Sequence, residues 1–309
     1  MIPLQMVEDA MYQAMRKAAT TLPPDVEQAL EQALSEETDA LARQHLQVSL
    51  DSARLAAQGH GLLCGDTGFP LYFVIAGSGT VVEGGFAALW YAAQRATARA
   101  TENAFLRPTM VDPITRENPG DNLGPGMPKV ELSFCGEGDA LQIIAAPKGG
   151  GSEIFGTFYR MLYPADGLIG VKKFVIDCIR DGCYAGKICP PAIIGVGIGG
   201  TADLCMKLAK QAAVLRAVGT PNPRLDLVQL EGDLLQAARH MGIGPMGSRG
   251  TNAVMAMHVE VAATHTAALP VAVNAQCLVG RRWKATLQPD GQVEYSGAAA
   301  APVTEDTHG

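Results

Sequence analysis

A mixed α/β (α+β) fold is predicted by three observations. Segments with apolar residues at helical spacing are interleaved with short runs rich in β-branched and aromatic residues. Glycine (35 residues) and proline (19) are too frequent for a helical bundle and imply many short connections. Hydrophobic residues make up 48% and charged residues 18% of the 309-residue chain, enough apolar material for a sizeable core and too much for wholesale disorder. No internal repeat and no convincing linker breaks the chain. A single compact domain is expected: a helical segment 1–60, a core 61–290 and a tail 291–309.

Taken in order, residues 6–60 read as helical. "VEQALEQAL" has helical spacing, and "TLPPDV" supplies a break and an N-terminal signal. "LYFVIAG" (71–77) reads as a strand and "GFAALWYAAQRATARATENAFLR" (85–107) as a helix. Residues 107–129, full of Pro, Gly, Asn and Asp, form a long polar loop of the kind that carries function in compact domains. "KVELSFCGEGDALQIIAAPK" reads as a hairpin turning at "GEGD", followed by "KGGGSE" (148–153). Residues 167–183 fit a helix. "PPAIIGVGIGGTADLCMKLAKQA" reads as strand, glycine turn and helix, and "RLDLVQLEGDLLQAARHMG" as a helix with a glycine stop. "NAVMAMHVEVAATH" and "LPVAVNAQ" read as strands, and "AAAAPVTEDTHG" as a frayed tail.

Several function classes are disfavoured. A formal net charge of −7 argues against a nucleic-acid surface. No run of about 18 apolar residues predicts a membrane span. The amphipathic N-terminus lacks the basic-then-apolar order of a secretory signal, so a reducing, cytoplasmic setting is expected. Seven cysteines, an odd count, speak against a disulfide framework. Their default reading is as buried thiols.

Two glycine motifs invite chemistry. "GVGIGG" (195–200) matches G-x-G-x-x-G between an apparent strand and helix, with Asp226 downstream, as in a dinucleotide site. The second strand of the βαβ unit is missing, and the plainer reading is a tight strand-to-helix turn. "KGGGSE" could present successive backbone N–H groups to an anion such as a carboxylate, or be a plain turn. No close CxxC pair exists. Yet Cys64 in "GLLCGDTGFP", Cys189 before "PP" and Cys277 after "NAQ" each stand at an element boundary. Cys135, Cys178, Cys183 and Cys205 fall within strand or helix patterns, where a core thiol is the stronger reading.

At this point a resemblance becomes specific. "CGDTG" (64–68), "LRPTMVDPITRENPGDN" (106–122), "PKGGGSE" (147–153), "CPPAIIGVGIGGT" (189–201), "GIGPMGSRGTNAV" (242–254) and "ATHTAALPVAVNAQCLVGRR" (263–282) occur in family order. On these segments the chain resembles the α subunit of the iron–sulfur hydro-lyases, class I fumarase and L-tartrate dehydratase. The resemblance implies mixed sheets flanked by helices and a 4Fe–4S cluster held by Cys64, Cys189 and Cys277, one iron lacking a protein ligand. It implies reversible dehydration of a four-carbon 2-hydroxy dicarboxylate, malate to fumarate or tartrate to oxaloacetate. Asp66 would be the general acid, its pKa raised by burial beside an anionic cluster. Arg107 would clamp a substrate carboxylate, the amides around Gly149, Gly150 and Gly151 would bind the other end, and His265 would hydrogen-bond the substrate. Gly65 stands where the family usually has Gln next to the substrate, and Ile154 where it often has Asn. The general base and further clamps lie on a β domain or β subunit. A separate β subunit and a homodimer of α chains (α2β2) are therefore expected. The rivals are a nicotinamide oxidoreductase built on "GVGIGG" and a non-catalytic iron–sulfur scaffold or sensor.

Overall fold

A computed structural model describes residues 1–297. The expected frayed tail, 298–309, lies outside the described residues. The chain runs α1 (Leu4–Thr20), α2 (Pro24–Glu36), α3 (Ala40–Ala57), β1 (Phe69–Ala76), α4 (Ala88–Glu102), β2 (Lys129–Phe134), β3 (Leu141–Lys148), α5 (Gly150–Ile154), β4 (Thr157–Leu162), α6 (Gly167–Cys183), β5 (Ala192–Gly199), α7 (Ala202–Leu215), α8 (Leu225–Arg239), β6 (Val254–Ala262), β7 (Leu269–Gln276), β8 (Trp283–Leu287) and β9 (Val293–Ser296). The mixed α/β class and the mixed sheets are as expected. The chain divides into two contact-dense units. Among the described residues, one comprises 1–23, 53–148 and 281–297, the other 24–52 and 149–280.

The first unit is a five-stranded sheet in the order β2-β1-β3-β8-β9. Its core joins Val7, Met11, Ala14 and Met15 of α1 and Leu89, Ala92, Ala93 and Ala96 of α4 to alternate residues of three strands. These are Tyr72, Val74 and Ala76, then Leu141, Ile143 and Ala145, then Ala285 and Leu287. Helical spacing on one side meets a period of two on the other. The hairpin expected at "GEGD" does not form. β1 pairs in parallel with β2 and antiparallel with β3, so it lies between them. The physical reason is burial: β1 is buried along nearly its whole length, whereas β2 is only half-buried and suits an edge.

The second unit is a four-stranded sheet in the order β4-β7-β5-β6, with β5–β6 parallel and β7 antiparallel to both its neighbours. β5 explains the layering. Ile194 and Val196 join a core with Phe174, Val175 and Ile179 of α6 and Leu227, Leu230 and Leu234 of α8. Gly195 and Gly197 alternate onto the other face, where α7 lies so close that a Cβ would stand 2.0 Å from the Ala209 carbonyl oxygen or 2.1 Å from that of Cys205. The glycine run is therefore a packing device. The dinucleotide reading also loses its acid, because Asp226 pairs with Arg224 on the exposed start of α8 (Nη2–Oδ2 2.5 Å).

Candidate active site

In the first unit, Cys64, Gly65 and Asp66 lie on the loop between α3 and β1. The loop is tied at Leu63, whose N–H donates to the Ala19 carbonyl at 2.9 Å. Beyond the site residues, the fully buried Thr67 accepts the Arg107 N–H on Oγ1 at 2.9 Å. The Arg107 guanidinium donates from Nη1 to the Gly65 carbonyl at 3.0 Å. Arg107 is thus held beside the Cys64–Asp66 turn with its side chain exposed. The polar loop after it is organised by the buried Asn122. Its Oδ1 accepts the Thr109 N–H (2.8 Å) and its Nδ2 donates to the Arg107 carbonyl (2.9 Å). Asp66 is exposed. A Cβ at Gly65 would meet nothing within 4 Å, so the fold does not require glycine there.

In the second unit, one end of the sheet gathers Gly149–Gly151, Cys189 and Cys277. β5 begins and β7 finishes at this end, with Ile193 opposite Gln276. The Leu278 N–H donates to the Cys189 carbonyl at 3.0 Å, which ties the two cysteine segments together. Cys189 takes φ 51°, a left-handed conformation that a non-glycine residue holds only where its surroundings fix it. Those surroundings are main-chain bonds: Cys189 N–H to Gly186 carbonyl (2.9 Å) and Met246 N–H to Pro190 carbonyl (2.8 Å). The three glycines open α5, where the Ser152 hydroxyl and the Glu153 N–H both donate to the Gly149 carbonyl at 3.0 Å. A Cβ at Gly151 would fall 2.8 Å from the Lys187 carbonyl oxygen, so glycine lets this segment approach the turn that leads to Cys189.

Glu37 braces the same end. Its carboxylate accepts N–H bonds from Thr251 (3.1 Å), Thr38 (3.0 Å) and Asp39 (3.2 Å), and the Asn252 amide at 2.8 Å. Burial alone would raise its pKa, but these four donors outweigh it and hold the carboxyl below the usual range.

The seven cysteines sort by exposure. Cys64, Cys189 and Cys277 are all half-buried. Cys178, Cys183 and Cys205 are buried, and burial pushes the first two thiols up to about 12 and the third to about 11, where none ionises at neutral pH. Cys135, expected within a strand, is instead exposed just past β2. Among the described residues no three His, Cys, Asp or Glu side chains are gathered closely enough to form a metal-binding group.

His265 is not brought to the cysteine end. It stands twelve positions before Cys277, and the eight-residue β7 lies between them, so they stand at opposite ends of the strand, about 25 Å apart along it. His265 is exposed, and its Nδ1 accepts the Ala267 N–H at 3.1 Å.

Sequence reasoning gave no role to the residues around Cys277. Arg281 and Arg282 are 2% and 1% exposed, although two adjacent arginines ordinarily face water. The side-chain nitrogens Gln276 Nε2, Arg281 Nη1 and Nη2, and Trp283 Nε1 are buried without a hydrogen-bond acceptor. All four are donors. The available signal was "CLVGRRW", a cation pair flanked by apolar residues. No helix among the described residues is long and apolar enough to cross a membrane.

Residues 8–286 match the family described as fumarate hydratase (Fumerase). A Methanocaldococcus jannaschii protein, provisionally named as an L(+)-tartrate dehydratase alpha subunit, is 37% identical over 277 residues, covering 89% of this chain and 95% of that protein. The L(+)-tartrate dehydratase alpha subunits of Escherichia coli K12 and Shigella boydii are each 32% identical over 264 residues, covering 85% of both chains in each pair.

Proposed function

The chain belongs to the fumarate hydratase family, and from that premise we propose that it is the cluster-bearing α subunit of a hydro-lyase acting on a four-carbon 2-hydroxy dicarboxylate. The family match across residues 8–286 carries this reading. Malate to fumarate follows from the family description, and tartrate to oxaloacetate from the names of the relatives. Those names, each an alpha subunit, also support a separately encoded β chain as partner. A homodimer of α chains and a cytoplasmic setting complete the proposal.

The donor set suits an iron–sulfur cluster. Cys64, Cys189 and Cys277 are the cysteines neither buried in a core nor fully exposed, and the segment around Cys277 carries buried N–H donors that call for an anion. These three cysteines would hold the cluster. When bound, it would supply a Lewis acid for the substrate hydroxyl and neighbouring carboxylate. The remaining tasks fall to the chain. Arg107 offers a planar fork to one carboxylate, and the Gly149–Gly151 turn offers backbone amides to the other. Asp66 delivers a proton to the departing hydroxyl oxygen. Asp66 is exposed in this chain, open to substrate. His265 stays outside this assignment, because the far end of β7 holds it.

The test is an anaerobic assay of the chain mixed with its β partner on malate, fumarate and L-tartrate, for wild type and Asp66→Asn. The expected result is hydro-lyase turnover that falls about 10²- to 10⁴-fold in Asp66→Asn while iron and sulfide content stay unchanged. Wild-type protein that holds no iron after reconstitution, or turns over none of the three acids, overturns the proposal. The preferred substrate decides between the fumarase and tartrate readings. Equal activity of the chain alone removes the β subunit from the proposal.

A further inference from the structure

The Gly149–Gly151 turn cannot hold its position unaided. The α5 segment that follows it is five residues long, well short of the roughly 12 residues an isolated helix needs in water. Its place is set by bonds to its neighbours in the second unit. Behind it, the Gly156 carbonyl accepts the Ala275 N–H at 2.9 Å, and a Cβ at Gly156 would stand 2.7 Å from that of Ala275, so the segment lies tight on β7. From its middle, the Glu153 carboxylate accepts the Lys210 ammonium of α7 on Oε1 and the Asn274 amide of β7 on Oε2, the latter at a long 3.4 Å. The Asn274 amide is buried and also donates to Thr157 Oγ1 of β4 at 2.8 Å. One carboxylate thus joins α5 to α7 directly, and to β7 and β4 through Asn274. The Lys210 backbone has no slack either. The carbonyl oxygen of Ala209, the residue before it, lies 2.0 Å from where a Cβ at Gly195 would stand. The glycine run that lets α7 approach β5 therefore also sets how near Lys210 comes to Glu153.

We propose that the Glu153–Lys210 pair is a positioning device for the Gly149–Gly151 turn, holding its main chain where it receives a carboxylate of the substrate. The inference rests on the reading of that turn as a carboxylate site. Backbone amides have no side-chain torsions with which to adjust, so their aim is only as good as the support of the segment that carries them. Glu153 is coupled to the turn at close range. Its N–H and the Ser152 hydroxyl both donate to the Gly149 carbonyl at 3.0 Å, so a shift at Glu153 is passed back to Gly149. Charge adds a second reason. Glu153 stands two residues after Gly151, and an unneutralised carboxylate there would repel the incoming anion. Lys210 cancels that charge. A fully exposed ion pair contributes little, but these side chains are only 20% and 22% exposed and are tied to a buried amide. The pair acts through the geometry and charge balance of the turn. Neither side chain is assigned a contact with substrate or a part in proton transfer.

The experiment compares wild type, Lys210→Met, Glu153→Gln, the double variant and Lys210→Arg as full-length chain, reconstituted anaerobically with iron and sulfide and mixed with the β partner. It measures kcat and KM on whichever of malate, fumarate and L-tartrate the wild type turns over, and iron and sulfide per chain. Amide hydrogen exchange of residues 149–156 is followed on the same chain without substrate, with far-UV circular dichroism as the folding control. Lys210→Met is expected to raise KM about tenfold, the worth of one hydrogen bond to a charged group. Its kcat should stay within about twofold of wild type, because the turn holds the carboxylate away from the reacting atoms. Iron and sulfide should be unchanged, and exchange should quicken in 149–156 while α6 keeps its rate. Glu153→Gln should raise KM less, since no stray charge remains, and the double variant should be no worse than Glu153→Gln. Lys210→Arg should restore most of the affinity. If Lys210→Met does not fold, Lys210→Gln keeps a donor, drops the charge and replaces it. A wild-type KM in the Lys210 neutral variant overturns the proposal, even where exchange quickens, because the pair is then a structural brace alone. So do a lowered kcat at unchanged KM and a double variant in which the two losses add. A wild type that turns over none of the three acids overturns the functional reading and this inference together, whereas an active wild type with unaffected variants overturns the inference alone.

Discussion

The two ends of the β5–β7 pair are built on opposite principles. At one end, Gly199 and Gly200 turn the chain into α7, the Thr264 hydroxyl donates to the Gly200 carbonyl at 3.2 Å, and His265 sits on an exposed turn closed by the Ala268 N–H on its carbonyl at 2.9 Å. Everything there is ordinary turn chemistry near the surface. At the other end, a left-handed cysteine, a second cysteine, three glycines and a buried carboxylate with four donors converge. The first end carries the most conspicuous motif of the sequence and uses it for packing. The second end, to which we assign the chemistry, looks unremarkable in sequence because its parts lie far apart along the chain.

Removing a sulfur from each side of this contrast tests it most severely. Cys189→Ser or Cys277→Ser should abolish iron and sulfide retention, whereas Cys205→Ala, packed under α7, should keep both and cost only about 1 kcal/mol of stability. Iron assays paired with denaturant melts check this, and cluster loss in Cys205→Ala alone would dissolve the distinction. Next comes the packing half. Gly197→Val forces a side chain against the Cys205 carbonyl and should cost about 3 kcal/mol or prevent folding. A thermal melt equal to wild type would return the glycine run to the list of functional motifs. The smallest effect is at Glu37. Because its folded pKa lies below the model-peptide value, its contribution is fully present above that value and is lost as pH falls through the folded one. Wild type should therefore lose stability on acidification below about pH 4.5. Glu37→Gln should start lower at neutral pH and lose less over the same range, as read by thermal melts from pH 6 to 3.

Local elements were legible wherever one stretch carried its own pattern. "GLIGVKKFVIDCIRDGC" and "LPVAVNAQ" became α6 and β7 at the residues expected. Pairing was not legible. Nothing in "KVELSFCGEGDALQIIAAPK" announces that β1 inserts between its two strands, because that choice is made by burial of β1 against distant α1 and α4. β4, β8 and β9 are short, and β4 and β9 are edge strands with mixed polarity, so no period stood out. For the site, the boundary position of Cys189 and Cys277 was visible, but their juxtaposition depends on antiparallel β5–β7 register. The same register moves His265 away, which residue spacing alone could not reveal. Arg281 was missed because a pair of arginines reads as surface until burial is known.

The cysteine end is fastened by peptide groups more than by side chains. The Leu278, Met246, Ala275 and Gly280 N–H groups each close onto a carbonyl of another segment or turn, at 2.8 to 3.0 Å. Peptide groups are the same whatever residue carries them. Such a frame passes intact through changes at neighbouring side chains, so replacing Ile154, which is exposed beside the glycine turn, would leave it standing. A lineage could then exchange one small acid for another by a few surface substitutions, inheriting the anchorage unchanged while its diet shifts.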